Sequence, residues 1–243
     1  VALHFLADAA ADAQPGDDVV LTGTEAHHAA NVRRLRAGET VTVGDGRGVW
    51  LEGAAAHVSA REVVVRVATR TTVDAPTPRL ILVQALAKGD RDELAVQAAT
   101  ELGVDGIIPW QAERSVSRWD GKVDKALARW RTIVREAAKQ AHRAWLPDVE
   151  GPVDTAGLTR MLPGVRMLVL EPSATRPLAA LDLGADPRDV ALVVGPEGGV
   201  SPDELSALST AGAEPVRLGT TVLRTSTAGA AALSVANVAL RRW

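Results

Sequence analysis

The chain has 243 residues, 47% of them hydrophobic, enough for a sizeable core, which excludes a disordered chain. Its 27 Lys and Arg against 30 Asp and Glu leave a formal charge of −3, so any surface for a polyanion has to be local. Cysteine is absent and the five histidines show no ligand spacing, which excludes disulfides and thiolate chemistry and predicts a metal-free protein of the cytoplasm.

The first residues, VALHFLADAAADAQPGDD, lack a basic start followed by a long apolar core. Nowhere does the chain approach roughly 18 uncharged apolar residues, so neither export nor a membrane span is expected.

Residues 1–72 read as short strands with one helical interruption. ETVTVGDG (39–46) and EVVVRVATR (62–70) alternate with period two, which predicts a small β-rich unit. Within it, NVRRLRAGE puts Arg33, Arg34 and Arg36 together near His27 and His28. In an acidic chain such a cluster suits phosphate contacts, although a solvated helix end has the same composition. The two histidines read as partly buried side chains more readily than as RNA contacts.

TTVDAPTPR (71–79) carries Pro76 and Pro78, which disfavour helix and cannot donate to a sheet ladder. A domain boundary is placed there, dividing the chain into 1–72 and 73–243.

Beyond the boundary, apolar strands alternate with helical periods, which predicts an α/β domain. RLILVQAL precedes DRDELAVQAATELG, where Leu94, Ala98 and Leu102 share a face, and GIIPW follows. KVDKALARWRTIVREAAKQAHRA reads as a long helix, flanked by Trp119, Trp130 and Trp145 as core or base-stacking residues. RMLVLE and VALVVG read as strands, and PDELSALSTAG as a helix capped by Ser201, with Pro202 at its first position. EPVRLG and a helix at about 226–241 complete the pattern. Strands with almost no polar alternation suit a parallel sheet covered on both faces.

Ligands of open α/β sheets bind beyond the carboxyl ends of strands, where LVVGPEGGVSPDE sits. Neither G-x-G-x-x-G nor G-x-x-x-x-G-K-[ST] occurs at a strand end, and Glu197 inside the glycine loop would repel phosphate. A ligand with positive charge and no phosphate, such as S-adenosylmethionine, meets that requirement, though a tight strand-to-helix turn explains the glycines equally well. A second loop, VRLGTTVLRTSTAG (216–229), also leaves a strand through glycine, and two such loops on one edge suggest one pocket.

GPEGG followed by SPDE, LG-x-x-x-LRT before a small-residue helix, and ALAKGDRDELAVQAATELGVDGIIPW together resemble the RsmE-type 16S rRNA (uracil-N3) methyltransferases of the SPOUT superfamily. HFL near the start, HHAANVRRLRAGETVTVGDGRG and EAAKQAHRAWLPDV extend the likeness over the whole chain. One departure stands out: the family pattern reads LRTET where this chain has LRTST, with Ser226 in place of the acidic residue.

The resemblance implies a C-terminal SPOUT domain with a deep trefoil knot, an N-terminal PUA-like β-barrel for RNA, and a homodimer joined through the C-terminal domain. It implies S-adenosylmethionine held by Leu170 and Glu171, by Gly195, Pro196, Glu197, Gly198 and Gly199, and by Leu218, Gly219, Val222, Leu223 and Thr225. Arg224 is the expected catalytic group, stabilising charge on the uracil, with a salt bridge as its alternative role. Glu197 either accepts the N3 proton or, preferably, anchors cofactor donors. Lys88, Arg91 and Arg143, and also Lys139 and Gln140, are candidates to face RNA, and Asp90 is a candidate helix cap. The expected substrate is small-subunit rRNA; methylation of tRNA, or an RNA-binding factor without catalysis, are the alternatives.

Overall fold

Alternating apolar and polar side chains build the first part of the chain into strands. The protein is described from a computed structural model covering residues 2–243. It places β1 at Leu3–Leu6, β2 at Asp18–Thr22, α1 at Gly23–His27, β3 at Thr40–Gly44, β4 at Val49–Val58 and β5 at Glu62–Thr72. They form one sheet in the order β1-β3-β4-β5-β2, antiparallel except where β1 lies beside β3. In β5, Val63, Val65 and Val67 are buried while Glu62 and Arg66 are exposed, so one face enters a core with Phe5, Leu21 and Leu51.

The rest of the chain contains β6 (Leu80–Ala85), α2 (Arg91–Glu101), β7 (Gly106–Trp110), α3 (Val123–Gln140), β8 (Asp148–Val149), α4 (Thr155–Met161), β9 (Val165–Leu170), β10 (Asp189–Val194), α5 (Pro202–Thr210), β11 (Glu214–Val216) and α6 (Thr225–Ala239). The six strands are all parallel, in the order β11-β9-β10-β6-β7-β8. Two compact units result: residues up to 75 with 138–146, and residues 76–137 with 147–243.

The parallel sheet is covered on both faces, as its unbroken apolar strands require. Leu80 and Leu82 enter a core with Val96 of α2, Trp130 of α3 and Leu233 of α6. Ile81 and Val83 point the other way, toward Leu158 of α4 and Leu208 of α5.

Three details differ from the sequence reading. The buried face of α2 is Ala95, Val96 and Ala99, whereas Leu94 is 50% exposed. Small side chains let α2 lie close to α6, which Asn237 reinforces by donating to the Leu102 carbonyl at 2.8 Å. The long helix stops at Gln140, and His142 follows with φ 53°, a left-handed conformation that ends helical geometry. Asp90 occupies the N-cap of α2 without a side-chain cap; Asp92 instead accepts from the Glu93 N–H at 2.8 Å and from the Ala87 N–H at 3.3 Å. Ser201, by contrast, forms a full capping box with Glu204, with Pro202 at the start of α5.

Candidate active site

At the carboxyl edge of the parallel sheet lies a cavity of about 440 Å³. Three strand-end segments line it. Leu170 and Glu171 come from the end of β9, Gly195, Pro196, Glu197, Gly199 and Val200 from the segment after β10, and Leu218, Gly219, Val222, Leu223 and Arg224 from the segment after β11. Thr225 and Ala228 of α6 and Arg91 of α2 complete the wall. The two glycine-bearing loops therefore converge on one space.

Each loop is held by contacts the sequence encodes. The Gly199 N–H closes a turn onto the Pro196 carbonyl at 2.9 Å, with Gly199 at φ 73°, where a side chain would be strained. A Cβ on Gly195 would lie 3.0 Å from a Val200 methyl, so glycine permits the tight exit from β10. The Thr225 hydroxyl donates to the Gly195 carbonyl at 2.9 Å and accepts from the Gln84 amide at 2.9 Å, joining both loops to β6.

Glu197 pairs with Arg91 at 2.8 Å and accepts the Lys88 N–H at 3.1 Å. Partial burial pushes its pKa upward, but its own backbone N–H, Arg91 and the Lys88 N–H outweigh that and hold it below the ordinary carboxylate range. Arg91, expected toward RNA, thus turns to the cavity. Gly198 does not line the cavity: its carbonyl accepts from Arg114 Nη1 at 3.0 Å, and its α-carbon faces the Arg114 stem.

Arg224 sits at the N-cap of α6 on extended backbone, with φ −66° and ψ 151°. Its guanidinium is exposed and makes no salt bridge among the described residues, so it is available to a ligand. Ser226, the departure from the family pattern, lies one residue beyond Thr225 and outside the cavity lining.

Arg33, Arg34 and Arg36 are exposed on the segment that follows the π-helical turn His28–Val32, while Leu35 between them is buried. They make no salt bridge among the described residues. His27 is exposed and bonds Asn31 at 2.9 Å. Lys88 is exposed and Arg143 half-buried. Lys139 is not an RNA-facing group: it is 8% exposed and pairs with Glu25 at 3.0 Å. Trp119 and Trp130 pack edge-to-face with centroids 5.1 Å apart inside the core, which withholds them from stacking on bases.

Sequence reasoning missed Gln84, Glu113 and Arg114. Gln84 is the one amide in an otherwise apolar strand, and Glu113 and Arg114 are adjacent charged residues just past a strand end; both features were visible signals.

A family profile described as RNA methyltransferase domain matches residues 74–237, and one described as RNA methyltransferase PUA domain matches residues 21–67. The chain belongs to the RNA methyltransferase family. Within it, a Mycobacterium bovis protein named ribosomal RNA small subunit methyltransferase E is 44% identical over all of this chain and 94% of its own. A Legionella pneumophila methyltransferase solved with S-adenosylmethionine is 32% identical, with a TM-score of 0.85 over 98% of this chain and 96% of its own. A Neisseria gonorrhoeae ribosomal RNA small subunit methyltransferase E bound to S-adenosylmethionine is 28% identical, with a TM-score of 0.85 over 98% of both chains.

Like its relatives, this RNA methyltransferase has an N-terminal β unit and a parallel α/β unit. No helix among the described residues is long and apolar enough to cross a membrane. No group of three or more potential metal ligands occurs among them either.

Proposed function

We propose that this RNA methyltransferase transfers the methyl group of S-adenosylmethionine to N3 of one uridine in 16S rRNA of the small ribosomal subunit. The observation that carries this reading is the cavity at the sheet edge, walled by two glycine-bearing loops and overlooked by Arg224. Naming and full-length similarity of the relatives supply the substrate class.

The cavity's chemistry fits the cofactor. Val194, Val200 and Ala228 give it an apolar floor, while Glu171 and Glu197 put carboxylates on its wall, which suits a cationic ligand with donors better than a phosphate. Its size lies within the ~300–1,000 Å³ typical of small-molecule sites. Leu170, Glu171, Gly195, Pro196, Glu197, Gly199 and residues 218–225 would hold the cofactor, mostly through main-chain groups. When bound, it supplies an electrophilic methyl on sulfur.

The chain's own residues then have two tasks. Positioning N3 in line with the methyl is worth up to ~7–11 kcal/mol of barrier. Arg224 stabilises the uracil oxygen that gains charge as the N3 proton passes to solvent water. Glu197, ionised and paired with Arg91, anchors donors in preference to serving as the base.

RNA is gripped by Arg33, Arg34 and Arg36 from a PUA-like barrel at 1–72, and by Lys88 and Arg143. The domain at 73–243 carries the chemistry, and its last segment threads a trefoil knot. The protein acts as a homodimer joined through this domain, as its resemblance to the family implies.

Mass spectrometry of rRNA and tRNA from a strain lacking the gene tests the reading. Loss of 3-methyluridine from small-subunit rRNA alone, restored by purified protein acting on assembled subunits, is expected. Intact 3-methyluridine there, or a loss confined to tRNA, overturns it.

A further inference from the structure

The segment Gly195–Ser201 contains three glycines, and each leaves the unheld backbone more freedom to lose than any other residue would. Such a loop binds a ligand well only if something else fixes its shape beforehand. Its start is fixed by Thr225 and its middle by Arg91 and the Lys88 N–H. Its end is fixed from outside the cavity, by the segment that follows β7.

Three hydrogen bonds make that connection. Arg114 Nη1 donates to the Gly198 carbonyl at 3.0 Å, the Ser201 hydroxyl donates to Glu113 Oε2 at 2.5 Å, and the Glu113 N–H donates to Glu204 Oε1 at 2.9 Å. Neither Glu113 nor Arg114 lines the cavity. The segment is itself stiff, since the Ser115 N–H bonds the Ala112 carbonyl at 3.1 Å and Gln111 Nε2 bonds the Ser117 carbonyl at 3.2 Å. Gly198 belongs to the same arrangement: a Cβ there would come within 3.2 Å of Arg114 Cβ. Glycine at 198 therefore serves the approach of Arg114, whose stem lies against the loop from behind.

We propose that Arg114, on a segment anchored through Glu113 to Ser201 and Glu204, is a positioning residue that fixes the peptide after Gly198 and so sets the affinity for S-adenosylmethionine without touching it. This rests on the reading of the cavity as the cofactor site. One guanidinium from a segment two strands away from β10 holds the glycine loop in its receptive shape, and the loop needs less ordering when the cofactor arrives.

The test measures S-adenosylmethionine binding by calorimetry and methyl transfer to assembled small subunits, using the full chain. Arg114→Ala is expected to raise both Kd and KM for the cofactor about tenfold or more, with kcat at saturating cofactor within about threefold of wild type and the melting temperature little changed. Arg114→Lys, which keeps one donor for the carbonyl, should recover most of the loss. Arg118→Ala, an exposed arginine in the same segment with no bond to the loop, should match wild type. A Kd for Arg114→Ala within twofold of wild type, or equal weakening by Arg118→Ala, overturns the assignment of Arg114 alone. Wild-type protein that takes up no S-adenosylmethionine overturns the cavity reading, and this role with it.

Discussion

The amide of Gln84 donates at 2.9 Å to the hydroxyl of Thr225, which in turn donates at 2.9 Å to the Gly195 carbonyl. Gln84 is fully buried and Thr225 is 6% exposed, so the pair ties the first turn of α6 to the exit of β10 away from water. Thr225→Val keeps the shape but deletes the hydroxyl, leaving the half-buried Gly195 carbonyl without its donor and the Gln84 amide without one of its acceptors. A loss of about 1–3 kcal/mol of stability is expected in urea unfolding, with weaker cofactor binding, while Thr225→Ser should retain both. Equal stability of the valine variant would show that the relay holds neither loop.

Arg224 lines the cavity with no salt bridge of its own among the described residues, so its removal strands no partner carboxylate. Arg224→Ala is therefore expected to leave folding and cofactor Kd within about twofold of wild type while lowering kcat by roughly 10²–10³, the usual cost of losing one charge-stabilising donor. Single-turnover methyl transfer gives the direct measure. Activity equal to wild type would remove Arg224 from the chemistry.

Glu197 is held below the ordinary carboxylate range, where it is ionised at neutral pH and poorly matched to taking a proton from uracil. Glu197→Gln should raise KM for S-adenosylmethionine yet lower kcat by less than about tenfold, because a general base would be worth ~10²–10⁴. A hundredfold fall in kcat at unchanged KM would restore the base role.

Much of this site was legible because glycine and proline punctuate strand ends in ways side-chain packing cannot override. Gly195, Gly199 and the LG of the second loop mark the cavity in the sequence as they do in space. What stayed hidden depends on partners far apart in the chain. Gly198 reads as another ligand-facing glycine until Arg114 is found behind it. Arg91 reads as a free basic residue until Glu197 is found in reach, and Lys139 until Glu25 is. In α2, periodicity alone favoured the larger Leu94 over Ala95 and Ala99, because a pattern of apolar residues does not reveal that a close helix neighbour demands small ones.

Steric tests follow from the same distinction. Ala228 is 9% exposed and lines the cavity, so Ala228→Leu places its added atoms where the cofactor would lie and should abolish calorimetric binding. Gly198→Val acts from behind the loop, on Arg114, and is expected to weaken binding without abolishing it. The opposite ranking would put the ligand on the other side of the glycine loop.

His4 gives the N-terminal unit a pH dependence of its own. It is 7% exposed, stacks on Trp50 at 4.3 Å, bonds Thr42 through Nδ1 at 2.9 Å, and leaves Nε2 buried without a partner among the described residues. A proton there would have no acceptor. Burial first, then His142 and Lys139, lower its pKa from 6.5 to about 4. The unfolded chain therefore binds this proton more readily, and the stability present above pH 6.5 is lost as pH falls toward 4, by about 3 kcal/mol in all. His4→Phe keeps a ring against Trp50 and removes the titration, so its stability should fall less steeply than wild type over that window. Unfolding curves for both proteins between pH 7.5 and 4 decide the matter: identical slopes would mean that His4 takes up its proton in the folded protein as easily as in the unfolded chain.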